Sequence, residues 1–186
     1  MNESVTLTQP VATRDHSEGS STAPLTLLEY GDYQCPYCGA AHPVVKRLQK
    51  AFGKNLRFVF RNFPLTEAHP YALLAADAAE AAALQGKFWE MHDLIYEQQR
   101  FLEPDIIFVW AKKIGLDLKK FTNDMKQDGI AKRIREDRKS GIASGVNGTP
   151  NFYINGVRYD GSPDFDSMFE TLNLFLGEEA EPSARG

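Results

Sequence analysis

The sequence predicts an α/β domain from three observations. LTLLEY (residues 25–30) is a short apolar run that leads through a turn into a helical pattern beginning at CPYC. LRFVFRNF (56–63) sets Leu56, Phe58 and Phe60 on one side against Arg57, Val59 and Arg61 on the other, as in a strand. NFYINGVRYDG (151–161) flanks Asn155-Gly156 with two short strand-like runs, the strongest short-range hairpin signal.

The elements follow in order. Residues 1–23 are rich in Ser, Thr, Glu and Gly and read as a flexible N-terminal arm, with the folded domain spanning 24–177. Pro36 suits the first turn of a helix, where a missing N–H costs nothing, and Val44, Val45, Leu48 and Phe52 continue it at helical spacing. Pro43 lies inside that helix and predicts a kink. After the second strand, a helical insertion is expected over about 66–145: Tyr71–Leu84, Phe88–Gln99, Pro104–Gly115, Leu118–Lys126 and Ala131–Ser144. A last helix from about Pro163 to Leu176 lines up Phe165, Met168, Phe169, Leu172 and Phe175, and 178–186 reads as a flexible tail.

Composition limits the function. Charged residues make up 25% and hydrophobic ones 42%, with a formal net charge of −4, so neither a disordered chain nor a nucleic-acid surface is indicated. The basic cluster Lys132, Arg133, Arg135, Arg138 and Lys139 alternates with Glu136 and Asp137, which reads as a solvated helix face. No apolar run approaches the ~20 residues that span a bilayer, so no membrane insertion is expected. As written, with no export signal, the chain reads as cytoplasmic; removal of a signal would make it periplasmic or extracytoplasmic.

Cys35 and Cys38 are the only two cysteines. A zinc site would need two further ligands from His16, His42, His69 and His92, none at finger-like spacing, and no metal is expected. A structural disulfide between them would close a very short loop and constrain the unfolded chain little. Redox catalysis uses the arrangement fully. Unpaired N–H groups and the helix dipole at the helix start stabilise a thiolate on Cys35, and Cys38 lies one turn deeper, within disulfide reach. Cys35 then attacks and Cys38 resolves, while Pro36 and Tyr37 keep like charge out of the loop.

These residues, with RNFPL, HPYALLAADAAEAA, FWEMHDLIYEQQ and GVNGTPNFYINGVRYDG, resemble the DsbA-like branch of the thioredoxin superfamily over roughly Leu25–Leu176. The resemblance implies a thioredoxin fold interrupted by a helical subdomain. It also implies thiol-disulfide exchange with protein or peptide thiols and disulfides through a mixed disulfide. No bound cofactor is implied beyond the redox-active pair Cys35–Cys38, and recycling needs a partner the sequence does not identify. Thr149-Pro150 would be a cis peptide facing the cysteines, its backbone pairing with an extended substrate segment.

Glu29 stands where that branch often places a buried acid near the resolving sulfur, available to relay the Cys38 proton; the other reading is a charged residue ending a strand. Asp32 is an alternative for the same part. His42, one turn after Cys38, reads as a surface histidine. Two other functions remain open on sequence: a glutathione-dependent enzyme of glutaredoxin-like or kappa-transferase-like type, with glutathione as co-substrate, and a redox-sensing peptide-binding module.

Overall fold

The computed structural model describes residues 5–180. Its strands are β1 (His16–Glu18), β2 (Leu25–Gly31), β3 (Leu56–Asn62), β4 (Asn151–Ile154) and β5 (Val157–Tyr159), in the spatial order β1, β3, β2, β4, β5. β2 and β3 are parallel, with Leu27 opposite Phe58 and Glu29 opposite Phe60, and the other pairings are antiparallel. The parallel pair requires a crossover, supplied by α1 (Pro36–Phe52). The predicted hairpin forms at Asn155-Gly156, both at positive φ (47° and 83°), as a tight primed turn demands.

Between β3 and β4 the chain forms α2 (Ala72–Ala83), α3 (Phe88–Glu97), α4 (Pro104–Lys113), α5 (Leu118–Asp124) and α6 (Asp128–Ala143); α7 (Phe165–Ala180) closes the fold. The expected helix over 88–99 ends two residues early and tightens into a 3₁₀ turn at Gln99–Phe101. α1 runs through Pro43, the position expected to kink it, as one continuous helix. Among the described residues no helix is long and apolar enough to cross a membrane.

Strand alternation divides the core in two. Leu25, Leu27, Phe58 and Phe60 point to the side of α1 and α3 and join Cys38, Val45, Leu48, Met91 and Ile95 in the larger cluster. Leu28, Tyr30 and Val59 point to the other side, where Phe63, Val146 and Tyr153 complete a smaller one. The last helix buries Met168 and Leu172 completely, and Phe169 packs 5.1 Å from the ring of Phe52.

The N-terminal segment departs from expectation. Residues 1–4 lie outside the described residues, but 5–23, read from composition as loose, are packed. His16–Glu18 pairs with Phe58–Phe60, and Thr6 bridges to Val157. The reason is a buried ion pair: Arg61 donates from Nε and Nη2 to the two carboxylate oxygens of Asp15, each at 2.9 Å. Its remaining donors reach the carbonyls of Gln9 and Pro10 and the hydroxyl of Tyr30. At the other end α7 extends to Ala180, beyond the expected limit of the domain, and 181–186 lie outside the described residues. The basic cluster is also only partly solvated, since Arg133 pairs with buried Glu80 at 2.9 Å and Arg138 lies over the ring of Phe63.

Candidate active site

β2 ends at Gly31 and the loop Asp32–Gln34 delivers Cys35 to the N-cap of α1, in an extended conformation (φ −68°, ψ 121°), with Pro36 opening the helix. No acidic side chain lies in the first turn, so nothing opposes the positive end of the helix dipole. Cys38 is fully buried and Cys35 retains 3% exposure. Both sulfurs are free thiols, the reduced state of the pair. Tyr37, between them, is 73% exposed and forms a projecting rim.

The two sulfurs are tuned in opposite directions. The Cys35 thiol is pulled down to about 5, chiefly by its hydrogen bond with the Cys38 thiol, against the opposing effect of burial. The Thr149 side chain and the backbone N–H groups of Cys38 and Tyr37 add to the lowering. The Cys38 thiol is pushed well above the ordinary range, first by burial and then by its bond to Cys35 and the charge of Glu29. One sulfur is therefore a thiolate at neutral pH and its neighbour a protonated thiol.

Opposite them, Thr149-Pro150 is a cis peptide, and the Cys35 thiol lies 3.4 Å from the Thr149 carbonyl oxygen. The sequence-predicted set Cys35, Cys38, Pro36, Thr149 and Pro150 thus meets at one end of the sheet, with Tyr37 at its edge.

Glu29 and Asp32 separate clearly. Asp32 is buried, and its carboxylate is occupied: Oδ1 accepts from the N–H groups of Gln34 and Cys35, and Oδ2 from the N–H of Leu65 and pairs with His69 Nδ1. It fixes the loop. Glu29 is 2% exposed, and its Oε1 has no hydrogen-bond partner among the described residues. Burial, with the Cys35 charge adding to it, lifts its carboxyl to about 8. Of the two, Glu29 is the one with a buried carboxyl oxygen left unpartnered among the described residues and a pKa lifted toward neutrality.

His42, expected at the surface, is buried; its Nε2 pairs with Asp93 at 2.9 Å, and Lys46 reaches the same carboxylate oxygen at 2.8 Å. His42, His92 and Asp93 lie within metal-ligand reach of one another, but the group contains no cysteine. His92 Nδ1 is bound to the Tyr33 hydroxyl, and Lys46 already neutralises Asp93. The histidines weighed as zinc partners for the cysteines are engaged elsewhere: His16 with Glu80 and His69 with Asp32.

Sequence reasoning missed two contributors. Gln99 Nε2 donates to the carbonyls of Tyr33 and Cys35, at 2.9 and 2.8 Å, holding the cysteine loop from the helical insertion. Tyr96 brings its hydroxyl to Gly31, the residue that ends β2 just before that loop. Both belong to the FWEMHDLIYEQQ stretch, whose apolar spacing signals core packing and nothing more.

A family model described as thioredoxin matches residues 12–173. The chain is 44% identical over 170 residues to a protein named Na(+)/H(+) antiporter NhaA 1 from Salinispora arenicola, covering 91% of this chain and 26% of that protein. It is 39% identical over 158 residues to Na(+)/H(+) antiporter NhaA of Herminiimonas arsenicoxydans, covering 85% of this chain and 25% of that one. The chain thus spans about a quarter of the length of these curated relatives. Among solved structures it superposes on oxidised BdbD from Bacillus subtilis with a TM-score of 0.81 at 24% identity, covering 95% of this chain and 100% of that one. The α-DsbA1 protein of Wolbachia pipientis gives 0.81 at 20% identity, covering 94% and 96%. At these identities the structural likeness speaks for the fold alone, a thioredoxin fold of the DsbA type.

Proposed function

The chain belongs to the thioredoxin family, and from that premise we propose that it is a thiol-disulfide oxidoreductase acting on protein or peptide thiols through a mixed disulfide at Cys35. The observation that carries the proposal is the opposed tuning of two adjacent sulfurs, with Cys35 at about 5 and Cys38 well above its ordinary range. A thiolate at the loop facing Thr149 attacks; a shielded thiol one turn deeper waits to resolve.

In the reducing direction, the Cys35 thiolate attacks one sulfur of a substrate disulfide and expels the other as a thiolate. Cys38 then gives its proton to Glu29 and attacks Cys35, forming the Cys35–Cys38 disulfide and releasing the second substrate thiolate. In the oxidising direction a substrate thiolate attacks Cys35 of the disulfide, and Cys38 leaves and takes the proton back from Glu29. A second substrate thiolate then closes the substrate disulfide and releases Cys35. A Cys35 thiolate stabilised this far weights the couple toward its dithiol form, which favours oxidation of substrates. Thr149 and Pro150 border the surface on which an extended substrate segment would lie. The reaction as written needs no bound cofactor. The antiporter name belongs to proteins of which this chain matches about a quarter, and no ion-exchange step is proposed for it.

Removal of the resolving thiol tests the reading. Cys38→Ala, mixed with disulfide-bearing proteins, should accumulate adducts visible on a non-reducing gel and released by dithiothreitol, while Cys35→Ala should give few. Adducts with neither variant, or more with Cys35→Ala, would reject the division of roles.

A further inference from the structure

Tyr96 has no place in the exchange as derived so far, yet its hydroxyl is one of the buried polar atoms without a hydrogen-bond partner among the described residues. Glu29 Oε1 is another. An orphaned buried hydroxyl and an orphaned carboxyl oxygen each carry a desolvation cost, so their proximity calls for an explanation. They meet at Gly31. A Cβ added there would lie 2.9 Å from the Tyr96 hydroxyl oxygen and 3.0 Å from Glu29 Oε1, and would collide with the Phe60 ring. Two such distances from one point place the oxygens no more than about 6 Å apart, near the span of a single bridging water. The absence of a side chain at Gly31 is what allows the approach.

We infer that Tyr96 is a positioning residue for proton transfer in disulfide exchange: its hydroxyl donates a hydrogen bond to the Glu29 carboxylate and holds that anion ready to receive the Cys38 proton. The inference rests on the oxidoreductase reading above. In the balanced step, the Cys38 S–H bond breaks and its proton goes to Glu29, while the Cys38 electron pair forms the new bond to the Cys35 sulfur and the Cys35–substrate S–S bond breaks, releasing the substrate sulfur as a thiolate. Tyr96 transfers no proton; its contribution is to stabilise the carboxylate form of the acceptor.

The surroundings fit a donor at that point. Tyr96 packs among Tyr33, His92 and His42 in tilted and edge-on contacts, with ring centroids 5.0, 5.1 and 5.3 Å away, which fixes the phenol ring. Its phenol is kept protonated, first by burial and then by the charges of Cys38, Glu29, Tyr33 and Asp32. The titratable groups that feel or shift the Glu29 charge are Cys35 at the N-cap, Cys38 from α1, Tyr33 from the loop and Tyr96 from α3. The residues paired with it across the sheet, Phe60 of β3 and Phe152 of β4, carry no charge. Tyr33 already binds His92, and Tyr96 is the unpartnered hydroxyl that meets Glu29 Oε1 at Gly31.

The test reads Glu29 directly. The carboxyl C=O infrared band, assigned by its loss in Glu29→Gln, is titrated in the reduced whole chain and in Tyr96→Phe. Loss of a donor to a carboxylate should move the titration upward by about one pH unit. Should the Phe variant pack poorly, 3,5-difluorotyrosine at position 96, a stronger donor, should move it downward. An unmoved titration in both proteins, or the same direction in both, would overturn the inference whatever the protein's activity. The kinetic arm is resolution of a preformed mixed disulfide. Tyr96→Phe should slow it about tenfold at pH below the Glu29 titration and leave the initial attack by Cys35 unchanged. In a Glu29→Gln background the same substitution should have no further effect. Equal slowing in both backgrounds would assign Tyr96 to packing. Failure of the mixed disulfide to form at all would reject the oxidoreductase reading and leave the infrared result standing.

Discussion

Cys35 and Thr149, 114 residues apart in sequence, meet with the cysteine sulfur 3.4 Å from the threonine carbonyl oxygen. Cys35 at the helix start and the loop before β4 therefore share one surface. The Cys35 charge forms at the place where a substrate backbone would arrive.

The first prediction concerns that charge. With the Cys35 pKa at about 5, alkylation by iodoacetamide and thiolate absorbance near 240 nm should both rise with a midpoint near that value. A lowered folded-state pKa stabilises the dithiol protein above the ordinary thiol range, and that stabilisation is lost as pH falls through the lowered value. A midpoint near 8.5, the value of a free thiol, would reject the assignment. Cys38, buried and pushed upward, should stay unlabelled until the protein unfolds.

Glu29 has the opposite linkage. Its folded-state carboxyl is raised from 4.5 to about 8, so its contribution to stability is fully present below its unfolded value and is lost as pH rises through 8. Glu29→Gln removes that titration. The variant should gain stability over the parent progressively between those two values and level off above them, by an amount on the order of a few kcal/mol. Urea denaturation of both proteins across that range measures it, and a difference independent of pH would show that Glu29 is not held protonated by the fold.

Asp32 holds the loop through four donors, two of them the backbone N–H groups of Gln34 and Cys35. Asp32→Asn replaces an acceptor oxygen with a donor amide and sets donor against donor. A loss of roughly 2–4 kcal/mol is expected from urea denaturation, together with a shifted Cys35 titration as the loop relaxes. Full stability with an unmoved Cys35 titration would mean that the loop is fixed by other contacts.

Arg61→Met would leave buried Asp15 without its counter-ion and the Gln9 and Pro10 carbonyls without donors. The expected cost is about 3–5 kcal/mol in the same assay. Restoration by the double change Arg61→Met with Asp15→Leu would identify the uncompensated charge as the cause.

Much of this was readable because it is local. CPYC after a strand, the alternation of LRFVFRN and the Asn-Gly turn each carry their geometry within a few residues. Residues 5–23 escaped because their order depends on distant partners. Nothing in a Ser- and Thr-rich run announces that Asp15 will meet Arg61, 46 positions later. Glu29 and Asp32 were indistinguishable as acids in sequence, since the number of donors each accepts is a property of the folded loop. Tyr96 was hidden by its own helix: the spacing that packs its ring says nothing of where its hydroxyl ends.

β1 has a further consequence, for solubility. β3 is a seven-residue strand carrying Phe58, Val59 and Phe60, and without a neighbour on its outer side it would offer unpaired backbone to any other extended chain. The segment His16-Ser17-Glu18 caps the middle of that strand, and it is short and polar enough to be a poor template itself. Removing residues 1–20 would uncover an aromatic edge suited to self-association, so material lacking them should form β-rich aggregates. The stretch that looks most dispensable in composition is the one that keeps the sheet from growing.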